Sequence, residues 1–361
     1  MFTANKIPYY LCTNEITLLN TGVYQPHSGN KNGKYTMHER ENALKEWLAQ
    51  TIQQKDFILT PLAGDASFRR YFRLQYNGLT QVVMDAPPEK ENIEPFIHIA
   101  NVLDKTKIPV PNILAINKRD GFLLLSDLGD QLLLNKLNHE TVDNYYSQAM
   151  NLLLQIQNCS TDNPELPLFD KGFMLKEMNL CLEWFLKAYL SLDLKQDELQ
   201  LFEHTIEWIA SEVATQPRVF IHRDYHSRNL MLVKNKDSCL ATIDFQDAML
   251  GPVTYDLVSL LKDCYISWPR EKVLEWVTYF HEKCPLANMY SLTDFIRAFD
   301  LCGLQRHLKV LGVFCRLYLR DNKAGYLGDL PLTLKYALEC TEIYEELHPF
   351  FNFLQKRVYL P

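Results

Sequence analysis

Val219-Phe220-Ile221-His222-Arg223-Asp224-Tyr225-His226-Ser227-Arg228-Asn229-Leu230-Met231-Leu232-Val233, followed by Ala241-Thr242-Ile243-Asp244-Phe245, reads as apolar strand, polar loop, apolar strand, turn, apolar strand, acid. The polar loop has the spacing His222-x-Asp224-x-x-x-x-Asn229, and Asp244 stands 20 residues after Asp224. Asn235-Lys236-Asp237 supplies the turn between the two later strands. Phosphoryl transfer from a nucleoside triphosphate needs an aspartate that accepts the proton of the attacking hydroxyl. It also needs an asparagine and a second aspartate that hold Mg²⁺ on the phosphates. Short strands on either side would fix the separation of these three side chains. The plain alternative is a β-hairpin whose polar tip does no chemistry.

The rest of the chain agrees with a soluble enzyme. Its 361 residues suggest two domains or one two-lobed unit, and 47% hydrophobic residues suffice for a substantial core. The net charge of −7 speaks against bulk attraction to nucleic acid or anionic membrane. Nine cysteines are scattered without a Cys-x-x-Cys pair, which speaks against a zinc site and a full disulfide framework. No apolar run approaches the ~18 residues of a membrane-spanning helix. No secretory leader opens the chain, so a cytoplasmic location is expected.

Residues 1–36 lack sustained periodicity and are expected to form a loosely ordered extension. Met37 opens an amphipathic helix with Ala43, Leu44, Trp47, Leu48 and Ile52 on one face. Three strands are expected within 57–62, 68–74 and 81–86, and a helix within 95–103. Two further strands follow at 113–116 and 122–126. Residues 37–128 thus read as a β-rich lobe and 129–361 as a mainly helical lobe. Helices are expected at 141–156, 176–190, 198–213, 255–264, 273–281, 292–319 (broken near Gly303) and 332–347. The turn Gly64-Asp65-Ala66-Ser67-Phe68 brings backbone N–H groups within reach of phosphate oxygens, and Arg69, Arg70 and Arg73 place positive charge beside it. A plain hairpin turn is the other reading of that stretch.

These residues resemble the aminoglycoside phosphotransferase-like kinases, the small-molecule branch of the protein-kinase-like fold, from about Met37 to the C-terminus. The resemblance implies an α+β, two-lobed fold, with a small antiparallel β N-lobe, a mainly α-helical C-lobe and ATP in the cleft. It implies Asp224 as catalytic base, Asn229 and Asp244 as Mg²⁺ ligands, and His222 as a structural part of the loop. Gly64, Asp65, Ala66, Ser67 and Phe68 would cover the phosphates, with Arg70 and Arg73 as nucleotide-binding cations. Leu125 to Gly129, including Asp127 and Leu128, would form the hinge under adenine. Longer strings, among them Leu62 to Tyr71, Asp85-Ala86-Pro87-Pro88, His222 to Met231, Ile243 to Ala248, Gly251 to Leu257 and Leu304 to Gly312, look like the bacterial N-acetylmuramate/N-acetylglucosamine kinases. Those enzymes phosphorylate the anomeric hydroxyl of an amino sugar in cell-wall recycling.

Two departures bear on the reading. Protein kinases carry a lysine on the third strand to pair the α/β-phosphates; here the strand reads Val82-Val83-Met84-Asp85, leaving Lys90, Arg69, Arg70 or Arg73 as replacements. Only 12 residues separate Asp244 from Asp256, too few for a phosphorylatable activation segment. A small-molecule acceptor is therefore favoured, and the expected partner is an amino sugar bound by a monomer. Candidate acceptor contacts are His226 (or a support of the loop), Asp247 (or a turn cap), Glu177 and Asn179 (or a surface helix face), and Arg306 or His307. Arg306, Lys309, Arg316 and Arg320 also recur at helical spacing, for which a solvated basic stripe is the simplest account. The alternative acceptors are an aminoglycoside or a choline-like cation, and the third reading is a nucleotide-binding pseudokinase.

Overall fold

The computed structural model describes residues 37–62, 68–159, 166–233 and 240–360. The nucleotide-loop residues Gly64, Asp65, Ala66 and Ser67, the 1–36 extension and the turn at 235–237 lie outside them. Helix α1 (Met37–Thr51) leads into β1 (Ile58–Pro61), β2 (Arg70–Tyr76) and β3 (Leu79–Asp85). Helix α2 (Glu94–Lys105) is inserted before β4 (Ile113–Asn117) and β5 (Phe122–Ser126). The five strands form one antiparallel sheet in the order β1-β2-β3-β5-β4.

Alternation along β2 gives this sheet two different faces. Leu74 and Phe72 pack with Leu44, Leu48, Val83, Phe122 and Leu124 under α1. Arg70 lies on that same side, where it donates to Asp85 and to Glu41 of α1. Asp85 is fully buried and also accepts from Arg40 Nε at 2.8 Å, while Arg40 Nη2 donates to the Asp120 carbonyl at 2.7 Å. Two arginines on one buried carboxylate neutralise a charge that would otherwise be costly to desolvate. Tyr71 and Arg73 project from the opposite face, into the cleft between the lobes.

Among the described residues, the second lobe is helical apart from two short ladders. It contains α3 (Val142–Gln157), α4 (Lys171–Leu180), a π-helical segment (Cys181–Tyr189) and α5 (Gln196–Ala214). Strand β6 (Arg218–Ile221) pairs with β9 (Met249–Pro252), and β7 (Leu230–Leu232) with β8 (Leu240–Thr242). Then come α6 (Tyr255–Leu261), α7 (Arg270–Lys283), α8 (Leu292–Asp321), α9 (Leu330–Ile343) and α10 (His348–Arg357).

Three expectations are corrected here. Helix α8 runs unbroken through Gly303, because the space beside that glycine is ordinary and its helical bonds continue. The helix expected at 176–190 is an α-helix from Lys171 that turns π-helical at Cys181. The basic stripe on α8 is not solvated at its start: Arg306 and Lys309 are each 3% exposed. Gly312 explains how α8 comes so close to the π segment. A Cβ there would lie within 2.5 Å of Cys181 N, and closer still to the Leu180 carbonyl group.

Candidate active site

The loop between β6 and β7 is held from behind by two acids. His222 N–H and Arg223 N–H donate to Asp256 at 2.6 and 3.0 Å. Ser227 N–H donates to Asp263 at 3.0 Å, and Ser227 Oγ–H donates to the same carboxylate oxygen. Burial pushes the Asp256 carboxyl up to about 7, a rise that the two N–H donors only partly offset. The loop motif itself marks neither brace, and the sequence signal of Asp263 is no more than an acid just beyond the end of α6. His222 shares a 2.7 Å hydrogen bond with Thr242 Oγ1, which ties the loop to β8.

These restraints bring Asp224, Asn229 and Asp244 together. Asn229 Nδ2 donates to the Asp224 carbonyl at 3.0 Å and reaches Asp244 Oδ2 at 3.4 Å. Gln246 Nε2 donates to Asp244 Oδ1 at 2.8 Å. Arg223 and Asp244 both adopt left-handed backbone, with φ of 75° and 65°. Such conformations cost non-glycine residues energy and gather at functional sites. Burial alone would raise the Asp224 carboxyl. The cations around it, Lys309 foremost and then Arg223 and Arg306, outweigh burial and hold it below the usual carboxylate range. Asp224 is therefore an ionised, buried acceptor for a proton.

The donor set fits Mg²⁺. With the Asn229 amide nitrogen committed, its Oδ1 is buried without a hydrogen-bond partner, beside the Asp244 carboxylate. Mg²⁺ characteristically takes one or two protein oxygens and completes its shell with phosphates and water. Among the described residues no group of three or more His, Cys, Asp or Glu could hold a metal by itself.

A cavity of about 140 Å³ lies between the lobes. Of the residues expected at the nucleotide, Arg73, Leu125, Asp127 and Leu128 line it, together with Asp244. Leu132, Met231 and Ile243 make its apolar floor with Leu128. The sequence reading passed over these three; Met231 and Ile243 were visible only as strand residues flanking the catalytic loop. Arg73 is fixed at the hinge, donating to Asp127 at 2.8 Å and Asp130 at 2.7 Å. Burial pushes Asp127 up, but the Arg73 bonds prevail and hold it below its ordinary value.

Arg70 is a correction. It points away from this cavity because it stands one residue out of phase with Tyr71 and Arg73, and its guanidinium is bound to Asp85. Phe68 does not line the cavity either: its N–H donates to Glu91, and Lys90 lies 4.4 Å above its ring. Arg69 is buried in a salt bridge with Glu91.

The acceptor candidates separate into two groups. Glu177 is buried beneath the loop, where it accepts from Arg223 at 2.8 Å and Gln305 at 3.1 Å and faces Lys309 at 3.5 Å. Arg306 is buried close to Asp224 and donates to Cys264 Sγ. His226 is fully buried against Tyr265, and neither ring nitrogen has a hydrogen-bond partner; burial lowers its imidazole to about 3. Asp247 lines a cleft beside Gln246. His307 and Asn179, in contrast, are turned elsewhere. His307 stacks on Tyr336 and donates to the Lys262 carbonyl at 3.1 Å, and Asn179 donates to the Leu175 carbonyl of its own helix. Lys309 was missed, because a lysine on a basic-spaced helix reads as solvated until its buried partner is known.

The phosphotransferase enzyme family matches this chain over residues 58–283. A protein of Neisseria meningitidis serogroup B named N-acetylmuramate/N-acetylglucosamine kinase is 38% identical over 328 residues, covering 89% of this chain and 96% of its own. One of the same name from Pseudomonas aeruginosa is 41% identical over 281 residues, covering 77% and 82%. Among solved structures, a Plasmodium vivax ethanolamine kinase is similar with a TM-score of 0.63 at 13% identity, over 88% of this chain and 93% of its own. An ADP-bound aminoglycoside phosphotransferase gives a TM-score of 0.57 at 17% identity, over 82% and 98%. The solved structures carry the fold alone; the family match and the two relatives go further, and they place this chain in the phosphotransferase enzyme family.

Proposed function

We propose that this chain is an ATP-dependent kinase that phosphorylates the anomeric hydroxyl of N-acetylmuramate and N-acetylglucosamine. In that role it returns cell-wall amino sugars to metabolism, as a cytoplasmic monomer. The observation that carries the chemistry is the buried Asp224 carboxylate, kept ionised by Lys309, Arg223 and Arg306 and set against Asn229 and Asp244. The acceptor rests on the relatives, whose name is that of an amino-sugar kinase.

Asp224 orients the C1 hydroxyl and takes its proton. The sugar oxygen then attacks the γ-phosphorus in line, and the bond from that phosphorus to the departing ADP oxygen breaks. Asn229 Oδ1 and the Asp244 carboxylate would hold Mg²⁺, which neutralises charge on the triphosphate when bound. Leu128, Leu132, Met231 and Ile243 offer the apolar bed that an adenine needs. Three cations beside Asp224 disfavour a polycationic acceptor such as an aminoglycoside, because like charges would meet in a dry site. The intact set of Asp224, Asn229 and Asp244 disfavours a catalytically silent protein.

The test is ADP release with Mg²⁺-ATP and, separately, N-acetylmuramate, N-acetylglucosamine, kanamycin or choline. Turnover confined to the two sugars is expected. Asp224→Asn should lose at least ~10²-fold in kcat while still binding ATP. Turnover with the cations alone would overturn the acceptor, and an active Asp224→Asn would overturn the base.

A further inference from the structure

A second cleft, of about 850 Å³, opens between α2 and the segment from Gln246 to Met249. Its lining shares no residue with the nucleotide cavity, and the packed rings of Phe96 and Phe245, 4.9 Å apart, lie between the two. Gln246, which is bonded to the metal-ligand candidate Asp244, forms part of its wall, so the cleft adjoins the reacting centre. It is large enough for a hexose derivative.

Arg223 is the arginine among the described residues that line this cleft, whose wall also carries the acids Glu94 and Asp247. Its side chain is only 7% exposed, and one end of the guanidinium is engaged, Nη2 donating to Glu177 at 2.8 Å. Nε is buried and has no hydrogen-bond partner. A buried guanidinium N–H without an acceptor costs free energy, which a ligand oxygen would recover. Phe173 lies 5.1 Å from the guanidinium carbon, and Leu168 and Met249 continue the apolar wall. Those surfaces suit the ring face of a sugar and a small alkyl branch. The Arg223 N–H is clamped by Asp256 and its Nη2 by Glu177, so both the backbone and the guanidinium are tied. Arg306, the other arginine near Asp224, does not line the cleft and donates to Cys264 Sγ.

We infer that Arg223 is the residue that distinguishes acceptors in this site, by donating to a carboxylate on the sugar's side chain. This rests on the amino-sugar reading above: N-acetylmuramate carries that carboxylate and N-acetylglucosamine does not. Arginine suits the task because a charge-assisted N–H to carboxylate bond is stronger and better directed than a neutral one.

The experiment compares kcat/KM for N-acetylmuramate, its methyl ester and N-acetylglucosamine. In the wild-type protein the ester should fall about 10–100-fold below the acid, as expected for losing a hydrogen bond to a charged group. In Arg223→Gln the acid-over-ester ratio should fall to about one, over and above the loss common to all three substrates that follows from taking a cation away from Asp224. A parallel loss for all three substrates with that ratio unchanged would make Arg223 a structural support of Glu177 and overturn the inference. So would equal use of acid and ester by the wild type, a result independent of any variant. Should Arg223→Gln fail to fold, Arg223→Lys keeps a cation for Glu177; its acid-over-ester preference should drop about tenfold, and an undiminished preference refutes the assignment. Wild-type protein that uses neither sugar would instead refute the proposed function itself.

Discussion

Replacing Gly312 with alanine tests the packing that sets the acceptor side of the site. In the middle of a 30-residue helix this change would ordinarily stabilise, by up to ~1 kcal/mol, because alanine is the better helix former. Here the new methyl would fall within 2.5 Å of Cys181 N, and closer to the Leu180 carbonyl, all of it backbone that cannot rotate aside. Ordinary carbon contacts sit at ~3.5–4.0 Å, so α8 and the π segment must separate by more than ~1 Å. Overpacking of this kind costs ~1–3 kcal/mol. The net expectation is a loss of about 1–2 kcal/mol in a urea titration. Lys309 and Glu177 each precede the contact by three residues, so the separation also stretches their 3.5 Å pairing. The kcat should therefore fall together with stability. Gly328→Ala, with nothing within 4 Å of its new methyl, is the control and should stay within ~0.5 kcal/mol of the wild type. A Gly312→Ala protein as stable as the wild type, or more stable, would refute the close approach and the argument built on it.

Two further predictions concern metal and proton. Asn229→Ala and Asp244→Asn should each raise the Mg²⁺ needed for half-maximal turnover by at least ~10-fold; an unchanged requirement would remove them as ligands. His222, His226 and His307 are buried as neutral imidazoles, with values lowered to about 4, 3 and 3. The folded state then binds fewer protons than the unfolded one between those values and the ordinary ~6.5. Their contribution is complete above ~6.5 and is lost as pH falls through that window, at up to ~1.4 kcal/mol per pH unit for each. Asp256, raised to about 7, acts in the opposite sense from ~4 to 7. His307→Gln should flatten the decline of stability between pH 7 and 5 in urea titrations, and an unaltered slope would contradict its burial as a neutral ring.

The catalytic loop was legible because its information is local. His222, Asp224, Asn229 and Asp244 fall on one short stretch of alternating strand and polar loop, and sheet geometry converts that spacing directly into proximity. The burial of Arg306 and Lys309 was not legible. Lys309 faces Glu177, on a helix well over 100 residues away in sequence, and Arg306 lies among Cys264, Asp224 and Asp263; nothing on α8 announces those neighbours. Arg70 was misplaced although its period could have been read: residues 71 and 73 share one face of β2 and residue 70 takes the other. The π-helical turn at Cys181 is invisible in composition, as is the close approach of its first residue to a glycine on a distant helix.

The buried carboxylate of Asp85 also decides where this protein can be cut. The matched family region begins at residue 58, beyond the whole of α1. A fragment trimmed to that boundary would lose Arg40 and leave Asp85 with half of its neutralising charge. It would also uncover Leu74, Val83 and Phe122, which α1 covers. Trimming at residue 283 would remove Lys309 and Gln305, leaving Glu177 with Arg223 alone, and would take Lys309 and Arg306 away from Asp224. The smallest unit with its buried charges balanced therefore starts no later than Met37 and extends through α8, so an expression fragment drawn to the family limits is expected to be insoluble or to aggregate.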